Sequence, residues 1–188
     1  MRRKGRDMNS TKRLTLTAML TAAALVLGWL EHIVPVTGNL PYIKLGISNI
    51  AVVFAVYMLG PGCACALVAA KVTLSAILFG GFSGFLYSAA GGAVSLAVML
   101  LVRRMKNVTP VGVSAAGGAF HMAAQTTVAA LLTSTGRILW LLAPLTAVGT
   151  LTGAVTGVAC SLVLRGAAKL GGKGIYGDGE NTAGHEYR

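Results

Sequence analysis

Acidic residues are scarce in this 188-residue chain, which has five of them against sixteen lysines and arginines. Charged residues of both signs make up 11% of the sequence, whereas a soluble domain of ordinary composition carries about 25%. The charged residues are missing from the middle of the chain and are concentrated in a few short segments. This distribution is typical of an integral membrane protein, and the length allows a single helical bundle.

The sequence also lacks the motifs of several enzyme classes. The glycine-rich stretch 166–173 does not have the Gly-Lys-Ser/Thr spacing of a P-loop, so we do not expect ATP hydrolysis by this chain. Paired carboxylates for acid–base catalysis, an aspartate-rich magnesium site and a Gly-x-Ser-x-Gly turn are all missing. The three cysteines, Cys63, Cys65 and Cys160, lack zinc-site spacing, and we expect free thiols. We therefore predict a protein that is not an enzyme and that holds neither a metal nor a cofactor.

Long apolar runs fill most of the chain. Each is close to the length of a transmembrane helix, about 17–25 residues. The six runs lie at about 14–36, 43–59, 63–80, 85–102, 111–133 and 138–164. We predict an all-α integral membrane bundle of six transmembrane helices over residues 14–165. A basic cytoplasmic tail (1–13) precedes it, and a flexible polar tail (166–188) follows it.

The basic residues lie mostly on one predicted side of the bundle. The segments 1–13, 103–106 and 165–188 contain thirteen of the sixteen lysines and arginines. Because cytoplasmic segments are enriched in these residues, both termini are predicted to be cytoplasmic, in the plasma membrane. Since the basic residues flank apolar runs, the net charge of +11 indicates contact with anionic lipid and not with nucleic acid.

Polar side chains within the apolar runs are candidates for a ligand-binding site, because lipid does not solvate them. In the predicted orientation they lie at or outside the membrane midplane, as expected for a chamber that opens outward. These candidates are Glu31, His32, Lys44, Asn49, Lys71, Tyr87, His121 and Gln125. In the outer half, Lys44, Lys71 and Arg137 face a single carboxylate, so the charge balance favours a small anionic or amphiphilic ligand.

Several of these residues also have a purely structural explanation. His32, Lys44 and Arg137 are equally consistent with ordinary positions at the membrane interface. Gln125 is consistent with a hydrogen bond between helices. Lys71 lies in the middle of a span, where a lysine costs roughly 2.5–3.5 kcal/mol, so it needs a partner. An ion pair with Glu31 is the structural alternative to a ligand.

Small residues four positions apart occur on two of the predicted helices. Gly149, Gly153 and Gly157 have the spacing that lets helices pack closely, and we predict that they pack inside the bundle. Ala18 and Ala22 have the same spacing on the first helix. Internal packing and the docking of a partner subunit both remain open for this pair on physical grounds.

Four short motifs resemble a known family. They are Leu-Glu-His-Ile-Val-Pro at 30–35, Lys-Leu-Gly-Ile-Ser-Asn at 44–49, Leu-Phe-Gly-Gly-Phe-Ser at 78–83 and Phe-Leu-Tyr-Ser at 85–88. Over residues 14–165 the chain resembles the family named heptaprenyl diphosphate synthase component I, also called the Gx transporter family. His121 and Gln125 suit the family pattern, whereas Lys71 stands where an arginine is expected.

That family is similar in architecture to the substrate-binding S components of energy-coupling-factor transporters. The resemblance implies six helices and an outward-facing pocket that the loop after the first helix covers. It also implies that an Ala-x-x-x-Ala motif, matched here by Ala18 and Ala22, docks on a transmembrane scaffold subunit. Separate ATPases would then supply the energy.

The leading hypothesis is a membrane substrate-binding subunit, S-component-like, that captures a small ligand for uptake with a partner ATPase module. The second is a non-catalytic membrane subunit associated with heptaprenyl diphosphate or quinone synthesis or with electron transfer. A channel ranks third, because the polar residues stop near the middle of the membrane.

Overall fold

The computed structural model describes residues 10–33 and 48–171. Within these ranges, side chains are described except at 31–33, 79–80 and 167–171. Most of both predicted tails, and Lys44 in the segment after the first helix, lie outside the described residues.

The described residues form helices joined by short turns, without a strand. The elements are α1 (Ser10–Ile33), α2 (Asn49–Met58), α3 (Pro61–Ser75), α4 (Gly81–Val102), α5 (Pro110–Leu132) and α6 (Leu142–Gly171). A π-helical turn, Ala76–Gly80, joins α3 to α4, and a 3₁₀ turn, Gly136–Leu141, precedes α6. The predicted all-α fold is therefore confirmed for the described part of the chain.

Four helical segments in the described ranges are long and apolar enough to cross a membrane. They are Ser10–Leu30, Pro61–Leu78, Gly81–Val102 and Gly136–Gly166. Helix α2 has only ten residues, and α5 is long but rich in glycine, serine and threonine. The membrane character of the bundle is thus supported by four helices, and six spans remain a prediction.

Glycine and proline define the helix boundaries. Gly60 has φ +88°, which favours glycine, and Pro61 then opens α3 at a position that needs no hydrogen-bonded N–H. Gly81 has φ +57° where the π-helical turn meets α4. Because this glycine lets the chain reverse without a loop, α4 begins four residues before the predicted boundary at 85.

Helix α2 is the central element of the core. Its buried residues are Ala51, Val52, Val53, Ala55 and Val56. Helices α1, α3, α4 and α6 all contact it. The same core cluster contains large, fully buried side chains from three other helices: Leu67, Met99 and Val113. A short helix surrounded in this way needs no polar face, which explains its nearly continuous apolar sequence.

Helices α5 and α6 pack backbone against backbone through glycines. A Cβ atom added at Gly153 would lie 2.5 Å from the carbonyl oxygen of Ser114, and one at Gly157 would lie 2.6 Å from the Cα of Val111. A Cβ at Gly149 would lie 2.5 Å from the carbonyl oxygen of Gly118. These three contacts confirm the predicted internal packing, and their order shows that the two helices run antiparallel.

Candidate functional site

A cavity of about 50 Å³, with polar side chains among its lining residues, lies among α2, α3, α4 and α5, with α1 at its edge. One water needs about 10–15 Å³ on this measure, so the cavity admits a group of a few non-hydrogen atoms. The lining residues are Gly28, Ser48, Asn49, Val52, Val68, Lys71, Val72, Ser75, Ser88, Gly92, Ser95, His121 and Gln125.

Lys71 and Asn49 form the defined polar contact of the cavity. The Lys71 Nζ atom donates a hydrogen bond to Oδ1 of Asn49 at 3.1 Å. Asn49 is the first residue of α2, whereas Lys71 lies well inside α3 and is half-buried. The contact brings a positive charge into the bundle beside a neutral amide oxygen.

His121 and Gln125 enter the cavity from α5. They are four residues apart, so they share one face of the helix, and both line the cavity. Helix α4 fits closely against them at Gly91. A Cβ atom there would lie 2.8 Å from Cε1 of His121 and 2.8 Å from Cγ of Gln125. The absence of a side chain at Gly91 therefore lets both polar residues occupy this wall.

The small polar residues of α4 were not among the predicted site residues. Ser88 and Ser95 line the cavity together with Gly92 between them. Positions i, i+4 and i+7 lie on one face of a helix, so this spacing was the available signal. It is weak in a sequence that is rich in small residues throughout, because serine and glycine also occur where helices simply pack.

Four predicted site residues come together around one cavity: Asn49, Lys71, His121 and Gln125. Tyr87 is half-buried on α4 and is not among the lining residues, so its role in a site stays a prediction. Glu31 and His32 belong to the last turn of α1, and their side chains are not described. The alternative of a Glu31–Lys71 ion pair therefore remains open, and Lys44 lies outside the described residues.

The described walls of the cavity carry one cation and no carboxylate. The other polar groups are two amides, an imidazole and serine hydroxyls, all of which can donate hydrogen bonds. No group of three or more histidine, cysteine or acidic side chains that could hold a metal occurs within the described ranges. The chemistry of the lining suits an anionic or hydrogen-bond-accepting group.

Ala18 and Ala22 lie on the outer surface of α1. Both are exposed, whereas Thr17, Thr21 and Ala24 on another face of the helix are buried. The buried face packs against α2 and α3. Internal packing within the described bundle therefore does not use the alanine pair.

The fold and the cavity together define a class: a helical membrane protein with a cation-bearing polar cavity inside its bundle. The sequence model of the family described as heptaprenyl diphosphate synthase component I matches residues 20–163. The chain belongs to this family, as its motifs indicated. The matched range includes every described cavity-lining residue. No curated protein and no solved structure matches the chain.

Proposed function

We propose that this protein is a membrane substrate-binding subunit, S-component-like, that captures a small anionic or amphiphilic ligand for uptake. The observation that carries the proposal is that Asn49, Lys71, His121 and Gln125, from three helices, meet at one cavity, where Lys71 is hydrogen-bonded to Asn49. Polar and ionisable side chains inside a membrane bundle are candidates for a ligand site. A lysine together with several neutral donors favours an anionic group.

The size and composition of the cavity support a compact ligand head group. About 50 Å³ accommodates a few non-hydrogen atoms, and Val52, Val68 and Val72 supply apolar walls beside the polar groups. A carboxylate or a similar small acceptor group, next to an apolar stem, fits both features. A ligand of this kind is consistent with one cation and several neutral donors.

The orientation is part of the proposal. With both termini in the cytoplasm of a plasma-membrane protein, the ends of α1 and α3 that lie nearest the cavity face outward. Uptake then requires energy from another chain, since this sequence has no P-loop. The exposed Ala18 and Ala22 pair offers a small-residue surface for a transmembrane scaffold subunit that carries the ATPases.

Native mass spectrometry of the protein purified in mild detergent from its own membranes tests ligand capture. We expect a small molecule to accompany the wild-type protein and to be lost in Lys71→Met. Lys71→Arg keeps the charge and should retain at least part of the ligand. Lys106→Met is the matched control, because Lys106 is exposed in the turn after α4. Equal ligand occupancy in all four proteins would contradict the proposed site.

Co-purification tests the docking surface separately. Ala18→Leu with Ala22→Leu should remove the scaffold subunit and its ATPases while leaving ligand occupancy unchanged. Ala93→Leu with Ala97→Leu is the matched control, since these alanines are also exposed and four residues apart, on α4. Loss of the partner in both double variants, or in neither, would contradict docking on α1.

The alternative function is that of a non-catalytic membrane subunit associated with heptaprenyl diphosphate or quinone synthesis or with electron transfer. The description of the matching family, which names a component of a synthase, favours it. The same purification distinguishes the two functions. An empty protein that brings down a polyprenyl synthase or a redox subunit supports the alternative, whereas a ligand-loaded protein with ATPases supports uptake.

A further inference from the structure

Two arginines from outside α2 bind the carbonyl groups at the C-terminal end of that helix. Arg13, near the start of α1, donates from Nη2 to the carbonyl oxygen of Leu59. Arg103, just after α4, donates from Nη1 to the carbonyl oxygen of Val56. The two acceptors are three residues apart, about 4.5 Å along the helix axis. The two carbonyl acceptors therefore lie within one helical turn of each other.

The side chains of these two arginines are held by contacts but are not buried. The Arg103 guanidinium carbon lies 4.9 Å from the ring centroid of Tyr57, which adds a cation–π contact to its hydrogen bond. Both arginine side chains remain exposed. A guanidinium has five N–H donors, so a carbonyl partner leaves others able to bind an anion. The result is a pair of oriented donors at the surface of this end of the bundle.

The described charged residues at the same end of the bundle as Arg13 and Arg103 are all basic. Lys12, Arg104, Lys106 and Arg165 lie at the same end of the bundle, close to helix ends in the sequence. In the described ranges the single acidic residue is Glu31, eighteen residues beyond Arg13 on α1, which is about 27 Å along the helix. Near Arg13 and Arg103 the described residues therefore contribute positive charge, which attracts an anion.

The arginine pair lies at the level where the membrane-crossing helices end. The apolar segments Ser10–Leu30, Pro61–Leu78 and Gly81–Val102 begin or end within a few residues of Arg13, Gly60 or Arg103. Lipid phosphate groups occupy this level of a bilayer. Guanidinium groups bind phosphate with two parallel hydrogen bonds, which an ammonium group does not.

We propose that Arg13 and Arg103 form a binding site for the phosphate of an anionic phospholipid, placed against the C-terminal end of α2. The backbone carbonyls orient the two guanidinium groups, and the lipid phosphate binds to their outward-facing donors. The surrounding lysines and arginines favour an anionic head group over a zwitterionic one. This site is separate from the cavity and does not depend on the proposed uptake function.

Native mass spectrometry of the full chain tests the site with phosphatidylglycerol and phosphatidylcholine in equal amounts. We expect the wild-type protein to retain phosphatidylglycerol selectively. Arg13→Gln with Arg103→Gln should lower that retention by about fivefold or more, because both phosphate donors are lost. The matched control, Arg104→Gln with Lys106→Gln, removes the same charge at the same end and should change retention by less than about twofold.

A second variant guards against a folding defect. Arg13→Lys with Arg103→Lys keeps the charge but removes the planar guanidinium groups and their paired donors. This variant should also lose most of the selectivity for phosphatidylglycerol. Equal losses in the arginine pair and in its charge-matched control would show diffuse attraction and overturn the site. So would full retention in the lysine variant, absence of selectivity in the wild-type protein, or displacement of the lipid by millimolar inorganic phosphate.

Discussion

The two halves of the bundle are built from the same helices and have opposite chemistry. The cavity half contains Asn49, Lys71, Ser88 and Gln125, one on each of α2 to α5. The core half contains the fully buried apolar side chains of those helices, Val56, Leu67, Met99 and Val113. Each helix changes from polar to apolar side chains within about one to three and a half turns.

This difference argues against a continuous polar path through the described part of the bundle. A channel needs a polar path through the whole bundle, because ions are costly to desolvate in an apolar core. Here Val53 and Met99 fill the core half and are at most 1% exposed. The packed side chains of the core half therefore block the passage of a ligand that enters the cavity. Transport would require the helices to move, and we propose that a partner subunit drives that movement.

The glycine contact between α5 and α6 supports both halves, and breaking it should have the largest effect. Gly153→Val would place side-chain atoms where the Ser114 carbonyl oxygen and the Ala115 Cα atom lie 2.5 and 3.0 Å from a Cβ atom. Because a shift of the α5 backbone is energetically unfavourable, we expect a loss of about 3 kcal/mol or more in the free energy of unfolding. Thermal unfolding in detergent measures it.

Gly166→Val on the same helix is the control for that change, because a Cβ atom at Gly166 meets nothing within 4 Å. We expect its unfolding temperature to match that of the wild-type protein. Similar losses at both positions would mean that glycine matters here for helix geometry in general and not for close approach to α5.

Truncation in the core half should be the next largest effect. Met99 is 1% exposed and packs against Gly117, so Met99→Ala leaves a cavity and should cost about 2–5 kcal/mol of stability. Met105→Ala, at a residue 63% exposed, should stay within about 0.5 kcal/mol of the wild-type protein. Chemical unfolding of both variants measures the contrast. Equal stability would show that the core half is not tightly packed.

A methyl group in the cavity half should impair binding more than folding. Gly91→Ala places a Cβ atom 2.8 Å from atoms of His121 and Gln125, whose side chains can move away. We expect ligand affinity to fall about tenfold, with a cost of about 1–2 kcal/mol in stability. Gly84→Ala on the same helix meets nothing within 4 Å and is the control. Unchanged affinity in Gly91→Ala would remove the α5 pair from the site.

The smallest expected effect concerns a polar atom in the core half. Ser114 is 1% exposed, and its Oγ atom has no hydrogen-bond partner among the residues that the structure describes. Ser114→Ala should therefore leave stability unchanged or raise it by up to about 1 kcal/mol. The buried Thr126 donates to the carbonyl oxygen of Met122 at 2.8 Å, so Thr126→Val should lower stability slightly. A clear loss of stability in Ser114→Ala would indicate a buried water or another partner there.

The sequence was most informative at positions where the energetic penalty leaves few alternative arrangements. Lys71 in a span requires a polar environment, and the structure supplies one with Asn49, His121 and Gln125. The spacing of Gly149, Gly153 and Gly157 indicated close packing, and α5 lies against all three. Both predictions depend on a large energetic penalty, which leaves few alternative arrangements.

The sequence was least informative where small residues have several uses. The serines of α4 line the cavity, but their spacing does not separate a cavity wall from a packing face. The stretch 80–84 predicted a turn, whereas the chain reverses at a π-helical turn ending at Gly80 and α4 begins at Gly81. The number of spans was predicted from hydropathy alone. Helix α2 is too short to count as a candidate span, and α5 is not apolar enough.

Labelling of a cysteine in the cavity tests most directly the claim that the cavity opens on one side of the membrane. Ser75→Cys is placed in a background with Cys63→Ala and Cys65→Ala; the buried Cys160 is retained. A small, anionic, membrane-impermeant methanethiosulfonate is applied to intact cells and, separately, to inverted membrane vesicles. Asn107→Cys, in the exposed turn after α4, is the control for the opposite side.

We expect Ser75→Cys to react in intact cells and not in inverted vesicles, and Asn107→Cys to show the reverse. Lys71→Met should slow the reaction at position 75, because the anionic reagent loses its attraction to the cavity. Reaction of Ser75→Cys from both sides would contradict the closed core half, and reaction from the cytoplasmic side alone would contradict the outward-facing site.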